Sequence, residues 1–228
     1  MKAFSFLGDG SLDYRTLMRE QCDLRIQRVH IPIYRLVIAE QTHSCIVHEC
    51  TEADCGAGLG SHPQILEADG LITSVPNQFV LIRTADCTPV ILIDQDLRAV
   101  AAIHSGREST RKNICGKAVR QMIENYGCSP ERITASIGAG ICAEHYEVSE
   151  AIWDEFIHSL EEQGITTDGM LFRHPDVRLT IYRQLIHAGL AAENIQQNTD
   201  CTFESDNYFS FRKDGSHNRQ INLAGLVI

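Results

Sequence analysis

Two histidines and a cysteine, His43, Cys87 and His104, are the residues of this chain whose types and spacing best fit a reactive centre. His43 follows an apolar run at 34–39 that reads as a strand. Cys87 and His104 flank two apolar runs, 89–93 and 99–103, separated by the turn-like Asp94-Gln95-Asp96-Leu97, a pattern that predicts a β-hairpin. With Gln95 and Asp96 as a two-residue loop, Ile93 pairs with Arg98, Val90 with Ala101 and Cys87 with His104. Directly opposed residues have Cβ atoms roughly 4.5–5.5 Å apart, so a thiol and an imidazole sit side by side at the open end of the hairpin. A loop one residue longer shifts the pairing by one position and leaves them neighbours. Two histidines and a cysteine make a three-ligand zinc set with a fourth position open, the arrangement of a catalytic site, and the same donors suit copper. The pair can also work without metal, with Cys87 as nucleophile and His104 as its base. On spacing alone, His43 as a surface residue and Cys87 as a packed core thiol remains the plain alternative.

Other groups invite weaker readings. His43, Cys45, His48, Cys50, Cys55 and His62 put six soft ligands in one stretch, but without the CxxC knuckles of a structural zinc site. Arg111 and Lys112 stand where a helix is expected to begin, and cations there oppose the helix dipole unless an anion is held by the free backbone N–H groups. They are either such an anion site or a solvated pair, and Arg212 and Lys213 carry the same ambiguity. Cys22, Cys115, Cys128 and Cys142 lie among apolar or small residues and read as inert, packed thiols.

The elements that would position these residues alternate between strand and helix. Strands are expected at 70–73, 79–83, in the hairpin, at 131–138, and as a pair at 208–211 and 219–228. Helices are expected at 13–28, at 111–126 with Gly127 as its stop, after the cap Ser149, and at 177–188 entered from Asp176. Residues 50–67 read as a loop. Hairpins beside helices predict a mixed-sheet α/β fold. The 228 residues are 43% hydrophobic with no break in composition, so residues 1–228 read as a single domain. A net charge of -10, without a Lys/Arg run, argues against a nucleic-acid surface. No window reaches membrane-spanning length, and nine cysteines without an export signal point to reduced thiols and a cytoplasmic protein. Nothing in the pattern specifies an oligomeric state.

The motifs QTH at 41–43, EADGLIT at 67–73, TADCTPVILID at 84–94, AAIHSGR at 101–107, HYEV at 145–148, DCT at 200–202 and FSFRKDG at 209–215 together resemble one family. It is the YfiH-like or laccase-domain family, also called polyphenol oxidase or peptidoglycan-editing factor, and the likeness covers about residues 35–228. The resemblance implies a layered mixed-sheet α/β fold flanked by helices, and a zinc or copper ion held by His43, Cys87 and His104. It also implies phosphorolysis of adenosine, inosine and methylthioadenosine, with adenosine deamination, so that a purine nucleoside and phosphate are the partners. Asp86, His145 and Glu147 are then acid/base candidates, and Arg107, Arg111 and Arg212 are candidates for the phosphate. The sequence departs from the family pattern: HAGWRG becomes His104-Ser105-Gly106-Arg107-Glu108-Ser109, the cysteine before YEV becomes His145, Gly-Pro becomes Gly138-Ala139, and the amino-terminal region matches poorly. Three alternatives stand beside the nucleoside reading. They are copper-dependent phenol oxidation, for which one three-ligand site is a thin basis, a Cys/His hydrolase acting on a cell-wall precursor, and a metal- or nucleotide-binding protein without turnover.

Overall fold

A computed structural model describes residues 1–228. In chain order the strands are β1 (Lys2–Leu7), β2 (Leu24–Ile26), β3 (Val29–Ile31), β4 (Leu36–Ile38), β5 (Val47–Cys50), β6 (Gly70–Thr73), β7 (Phe79–Thr84), β8 (Thr88–Asp94), β9 (Val100–Ser105), β10 (Ile133–Ile137), β11 (Ile195–Gln197) and β12 (Gln220–Val227). The helices are α1 (Tyr14–Glu20), α2 (Arg107–Arg111), α3 (Ile114–Tyr126), α4 (Glu150–Glu162), α5 (Val177–His187) and α6 (Phe211–Asp214). One sheet has the order β1-β12-β7-β4 and a larger one β11-β10-β8-β9-β6-β5, each mixing parallel and antiparallel pairs. β2 and β3 form a separate ribbon.

Alternation along the strands builds the layers, because successive side chains point to opposite faces. Val90, Leu92, Ala101 and Ile103 pack with Val119 and Met122 of α3 and with Ile181 and Leu185 of α5. Their neighbours Ile91, Val100 and Ala102 face the smaller sheet and meet Val80, Ile82 and Leu226. The outer face of that smaller sheet, through Phe79, Leu81 and Leu223, is covered by Leu17 of α1 and by the β2–β3 ribbon. The order is therefore helices, large sheet, small sheet, then helix and ribbon. Strands covered on both faces read as continuous apolar runs, which is why 89–93 shows no polar alternation.

The structure corrects several expectations. The β8–β9 hairpin pairs Ile93 with Val100, Val90 with Ile103 and Pro89 with His104, a register shifted by two from the one expected. The Asp94 N–H donates to the Ala99 carbonyl at 3.1 Å, Asp94 Oδ2 accepts from the Arg98 N–H, and Leu97 takes a left-handed φ of 60°, so four residues rather than two make the turn. A shift of two keeps every side chain on its face, whereas a shift of one would have turned them over. The expected helix at 111–126 is α3, which starts only at Ile114, and a separate short helix, α2, precedes it. α2 ends at Arg111, and α3 begins after Asn113, whose side chain caps it by accepting from the Gly116 N–H. Helix 13–28 stops at Glu20 and gives way to β2 and β3. Residues 208–210 are not a strand, and 211–214 form α6. Ser149 and Asp176 cap α4 and α5 as their chemistry predicts.

Candidate metal centre and its cleft

The chain crosses from the small sheet to the large one between β7 and β8, through Ala85, Asp86 and Cys87. Asp86 has φ 81°, a conformation that non-glycine residues adopt at a cost and keep where surrounding bonds hold them. Its carboxylate accepts from the Thr202 hydroxyl (2.7 Å), the Ser210 hydroxyl (2.6 Å) and the Arg212 N–H (2.7 Å). This crossover brings Cys87 beside His43, in the turn after β4, and His104, near the end of β9. The nearest ligand atoms of the three all lie within 4.8 Å of one another, and Cys87 Sγ is 3.6 Å from His43 Nε2.

One buried carboxylate, to which the sequence reading assigned no role, organises two of these residues. Asp69 is fully buried and accepts from the backbone N–H groups of Thr42 (3.0 Å), His43 (3.1 Å) and Ser44 (2.7 Å), fixing the turn in which His43 has φ 60°. It also accepts from His104 Nδ1 at 2.6 Å, which leaves Nε2 as that imidazole's ligand atom. Asp69 was present in the EADGLIT motif, but its role depends on contacts with 42–44 and 104 that spacing does not reveal. Gly106 completes the cradle: a Cβ there would lie 2.8 Å from Cys87 Sγ and 2.8 Å from His43 Cδ2.

Burial alone would push the Cys87 thiol up and the His104 imidazole down. Their mutual attraction prevails, helped at the thiol by His43 and at His104 by the Asp69 carboxylate, so that Cys87 is lowered to about 6 and His104 raised to about 9. A thiolate and two imidazoles with one nitrogen oriented by a carboxylate are a donor set suited to zinc or copper, and the residues present fit such an ion. The same charge pair is an activated nucleophile in the absence of metal.

The three residues open into a cleft of about 510 Å³. Arg83, Arg212 and Arg219 line it, together with the aromatic rings of Tyr146 and Phe211. The Arg212 guanidinium lies 5.1 Å from the Tyr146 ring centre and that of Arg219 lies 6.0 Å from the Phe211 ring centre. Of the acid/base and phosphate candidates named from sequence, Asp86 and Arg212 are in this lining, and Arg107, Arg111, His145 and Glu147 are not. Arg107 is paired with Glu108 at 2.7 Å, and Arg111 with Glu108 and Glu155 at 2.8 Å each. Arg111 ends α2 instead of starting a long helix, so it does not stand at the helix N-terminus on which the anion alternative was built. Glu147 pairs with Arg173 at 2.9 Å. Lys112 lies near Glu108 at 4.0 Å, and His145 sits with Cys142 and Cys201, so Cys142 is not the isolated thiol expected. The soft ligands at 43–62 do not converge: Cys45 accepts from Lys117 at 2.8 Å, His48 contacts Asp54 at 3.3 Å, and Cys55 accepts from Gln78 at 3.2 Å. Gln41, Arg83, Tyr146, Phe211 and Arg219 were given no role from sequence. Tyr146 and Phe211 lay inside quoted motifs, but Arg83 and Arg219 reach the cleft through the pairing of β7 with β12, which spacing does not disclose.

The family described as multi-copper polyphenol oxidoreductase laccase matches residues 5–227. The chain belongs to this family. A purine nucleoside phosphorylase of Corynebacterium glutamicum is 34% identical over 195 residues, covering 85% of this chain and 74% of that protein. The adenosine deaminase RL5 of an unknown prokaryotic organism is 30% identical over 189 residues, or 79% of this chain and 70% of its own. Among solved structures, the hypothetical protein YfiH of Bacillus licheniformis superposes with a TM-score of 0.76 at 29% identity, over 85% of this chain and 74% of that one. YlmD of Geobacillus stearothermophilus gives 0.79 at 24% identity, over 87% and 76%, and speaks to the fold alone. The laccase-type family and its layered mixed-sheet fold are those implied by the motifs from QTH to FSFRKDG. No helix of this member is long and apolar enough to cross a membrane.

Proposed function

We propose that residues 1–228 form one domain that acts as a metal-dependent purine nucleoside enzyme, cleaving adenosine, inosine and methylthioadenosine with phosphate and deaminating adenosine. The observation that carries this reading is the meeting, in one cleft, of the His43–Cys87–His104 donor set with three arginines and two aromatic rings. In a protein of net charge -10, three guanidiniums in one cleft favour an anion. The names of the phosphorylase and deaminase relatives support a purine nucleoside as the other substrate.

Phosphorolysis breaks the bond between the purine N9 and the ribose C1′ while a phosphate oxygen bonds to C1′, and the departing base must gain a proton. Arg83, Arg212 and Arg219 would bind and orient the phosphate, replacing the earlier set of Arg107, Arg111 and Arg212. Tyr146 and Phe211 offer faces against which a purine can stack. Burial raises the Tyr146 hydroxyl, against the opposing pull of Arg107 and Arg212, and so keeps it protonated as a donor at the cleft wall. Asp86 has its oxygens occupied by Thr202, Ser210 and Arg212, so its part is to position Arg212 and the adjacent wall. Zinc, or alternatively copper, held by His43, Cys87 and His104 would supply a Lewis acid that polarises a substrate or water oxygen. Asp69 would keep His104 in the tautomer that binds it.

A second reading has a specific observation behind it. The Cys87–His104 charge pair suits a metal-free Cys/His hydrolase. Turnover of adenosine and inosine by the protein before and after metal removal separates the two. Nucleoside turnover lost with the metal and restored by zinc supports the proposal, whereas full turnover after complete metal removal would shift the chemistry to Cys87 as nucleophile.

A further inference from the structure

We propose that Cys142, His145 and Cys201 form a second metal site, one that takes zinc and has a structural role. The three ligand atoms lie within 4.8 Å of one another although Cys201 is distant in sequence from the other two. Cys142 and His145 come from the segment after β10, and Cys201 from the segment after β11. Three donors surround one nitrogen: His145 Nδ1 is 3.1 Å from Cys142 Sγ, 3.7 Å from Cys201 Sγ and 3.6 Å from Glu204 Oε1. Zinc bonds of about 2.3 Å to sulfur and about 2.0–2.1 Å to nitrogen, at tetrahedral angles, separate a sulfur from a nitrogen by roughly 3.5 Å. The observed sulfur–nitrogen distances bracket that value.

The surroundings support the donors as a site. The Cys142 backbone N–H donates to Cys201 Sγ at 3.3 Å, the kind of outer contact that holds a thiolate ligand in place. The His145 ring is stacked on Phe203 at 4.5 Å with an interplanar angle of 19°, which fixes the direction of its nitrogens. Two sulfurs and an imidazole select a soft or borderline ion, and Glu204, exposed at the open side, is the chain's candidate for the fourth position.

The site's position gives it a purpose. Gly140 bridges to Cys201, and the Thr202 N–H donates to the Gly140 carbonyl at 3.2 Å, so the two segments already meet here. One segment carries Ile141 and Tyr146 into the cleft lining, and the other leads through Thr202 and Ser210 to Phe211 and Arg212. A zinc ion bound to all three residues would staple these two walls together. It shares no ligand with the His43, Cys87 and His104 group, so the proposal does not depend on the nucleoside reading.

Metal content tests it directly. The full chain is stripped with chelator, reloaded with zinc under reducing conditions, freed of excess zinc and analysed by mass spectrometry of the metal. Wild type should hold two zinc ions per chain, Cys87→Ala one, and Cys87→Ala with His145→Ala none. Cys87→Ala with Cys142→Ser should likewise hold none, with circular dichroism confirming that each variant is folded. Loaded with cobalt, the Cys87→Ala protein should show a thiolate-to-cobalt charge-transfer band that vanishes when His145 is replaced. A folded Cys87→Ala protein without zinc would overturn the proposal, as would zinc retained in full by both double variants. A Cys142–Cys201 disulfide persisting in the reduced, zinc-exposed protein would overturn it too.

Discussion

Asp69 joins two parts of the metal centre: it holds the turn that carries His43 and the ring of His104. Asp69→Asn keeps the size but weakens acceptance from the Nδ1–H and the backbone N–H groups. Zinc affinity, measured by competition with a chelating dye, should fall by about 10–100-fold, the usual cost of losing an outer-shell partner. Gly106→Ala tests the cradle from the other side. Gly106 has an ordinary φ of -85°, so the substitution introduces no backbone strain, yet its Cβ would press on Cys87 Sγ and His43. Metal binding should drop at least about tenfold while the melting temperature changes little, since the new atom displaces ligands. The charge pair makes a third prediction, for the metal-stripped protein. Cys87, lowered to about 6, should be alkylated by iodoacetamide at a rate that stays high down to about pH 6 and falls below it, as followed by peptide mass spectrometry. An ordinary thiol would already lose reactivity below pH 9. In stability, the Cys87 contribution is complete above the unfolded thiol's 9.0 and is lost as pH falls through about 6. That of His104 is complete below 6.5 and is lost as pH rises through about 9.

At the scale of elements, the passage from β7 to β8 sets the position of Cys87, and Asp86 holds it to residues 202–212. Asp86→Ala would leave the Thr202 and Ser210 hydroxyls and the Arg212 N–H without their acceptor, at a cost of about 1–3 kcal/mol for each group left buried and unpaired. Hydrogen exchange should speed up in 201–213 and stay unchanged in α3 and α5; uniform acceleration would contradict this local role. Much of this scale could be read before the structure. The apolar run 89–93, the caps Ser149 and Asp176, and Gly127 after α3 mark elements that short-range chemistry determines. The β8–β9 register could not be read, because Leu97 takes a left-handed conformation that nothing in its side chain announces. Nor could the break between α2 and α3, since it rests on Asn113, which takes a left-handed conformation just after the Lys112 cap of α2 and caps α3 with its side chain. The His43–Cys87–His104 set was readable because each residue borders a predicted strand. Arg83, Arg219 and the Cys142–His145–Cys201 group depend on pairings across the sheets and between loops, which local pattern does not contain.

For the whole molecule, two stacked sheets place a metal donor set and a cationic, aromatic cleft at the line where the chain passes between them. Ile91, in the layer between the sheets, should show how far the centre depends on that stacking. Ile91→Ala should cost about 2–5 kcal/mol in denaturant unfolding and leave zinc stoichiometry intact. On the proposed function, this cleft transforms purine nucleosides with the help of a metal held by Cys87. This is tested most directly by incubating zinc-loaded wild type and Cys87→Ala with adenosine and inosine, with and without phosphate, and separating the products chromatographically. Wild type should release free base and ribose 1-phosphate only when phosphate is present and convert adenosine to inosine without it, and Cys87→Ala should do neither. Fully metal-loaded wild type that leaves both nucleosides unchanged would contradict a metal-dependent purine nucleoside activity.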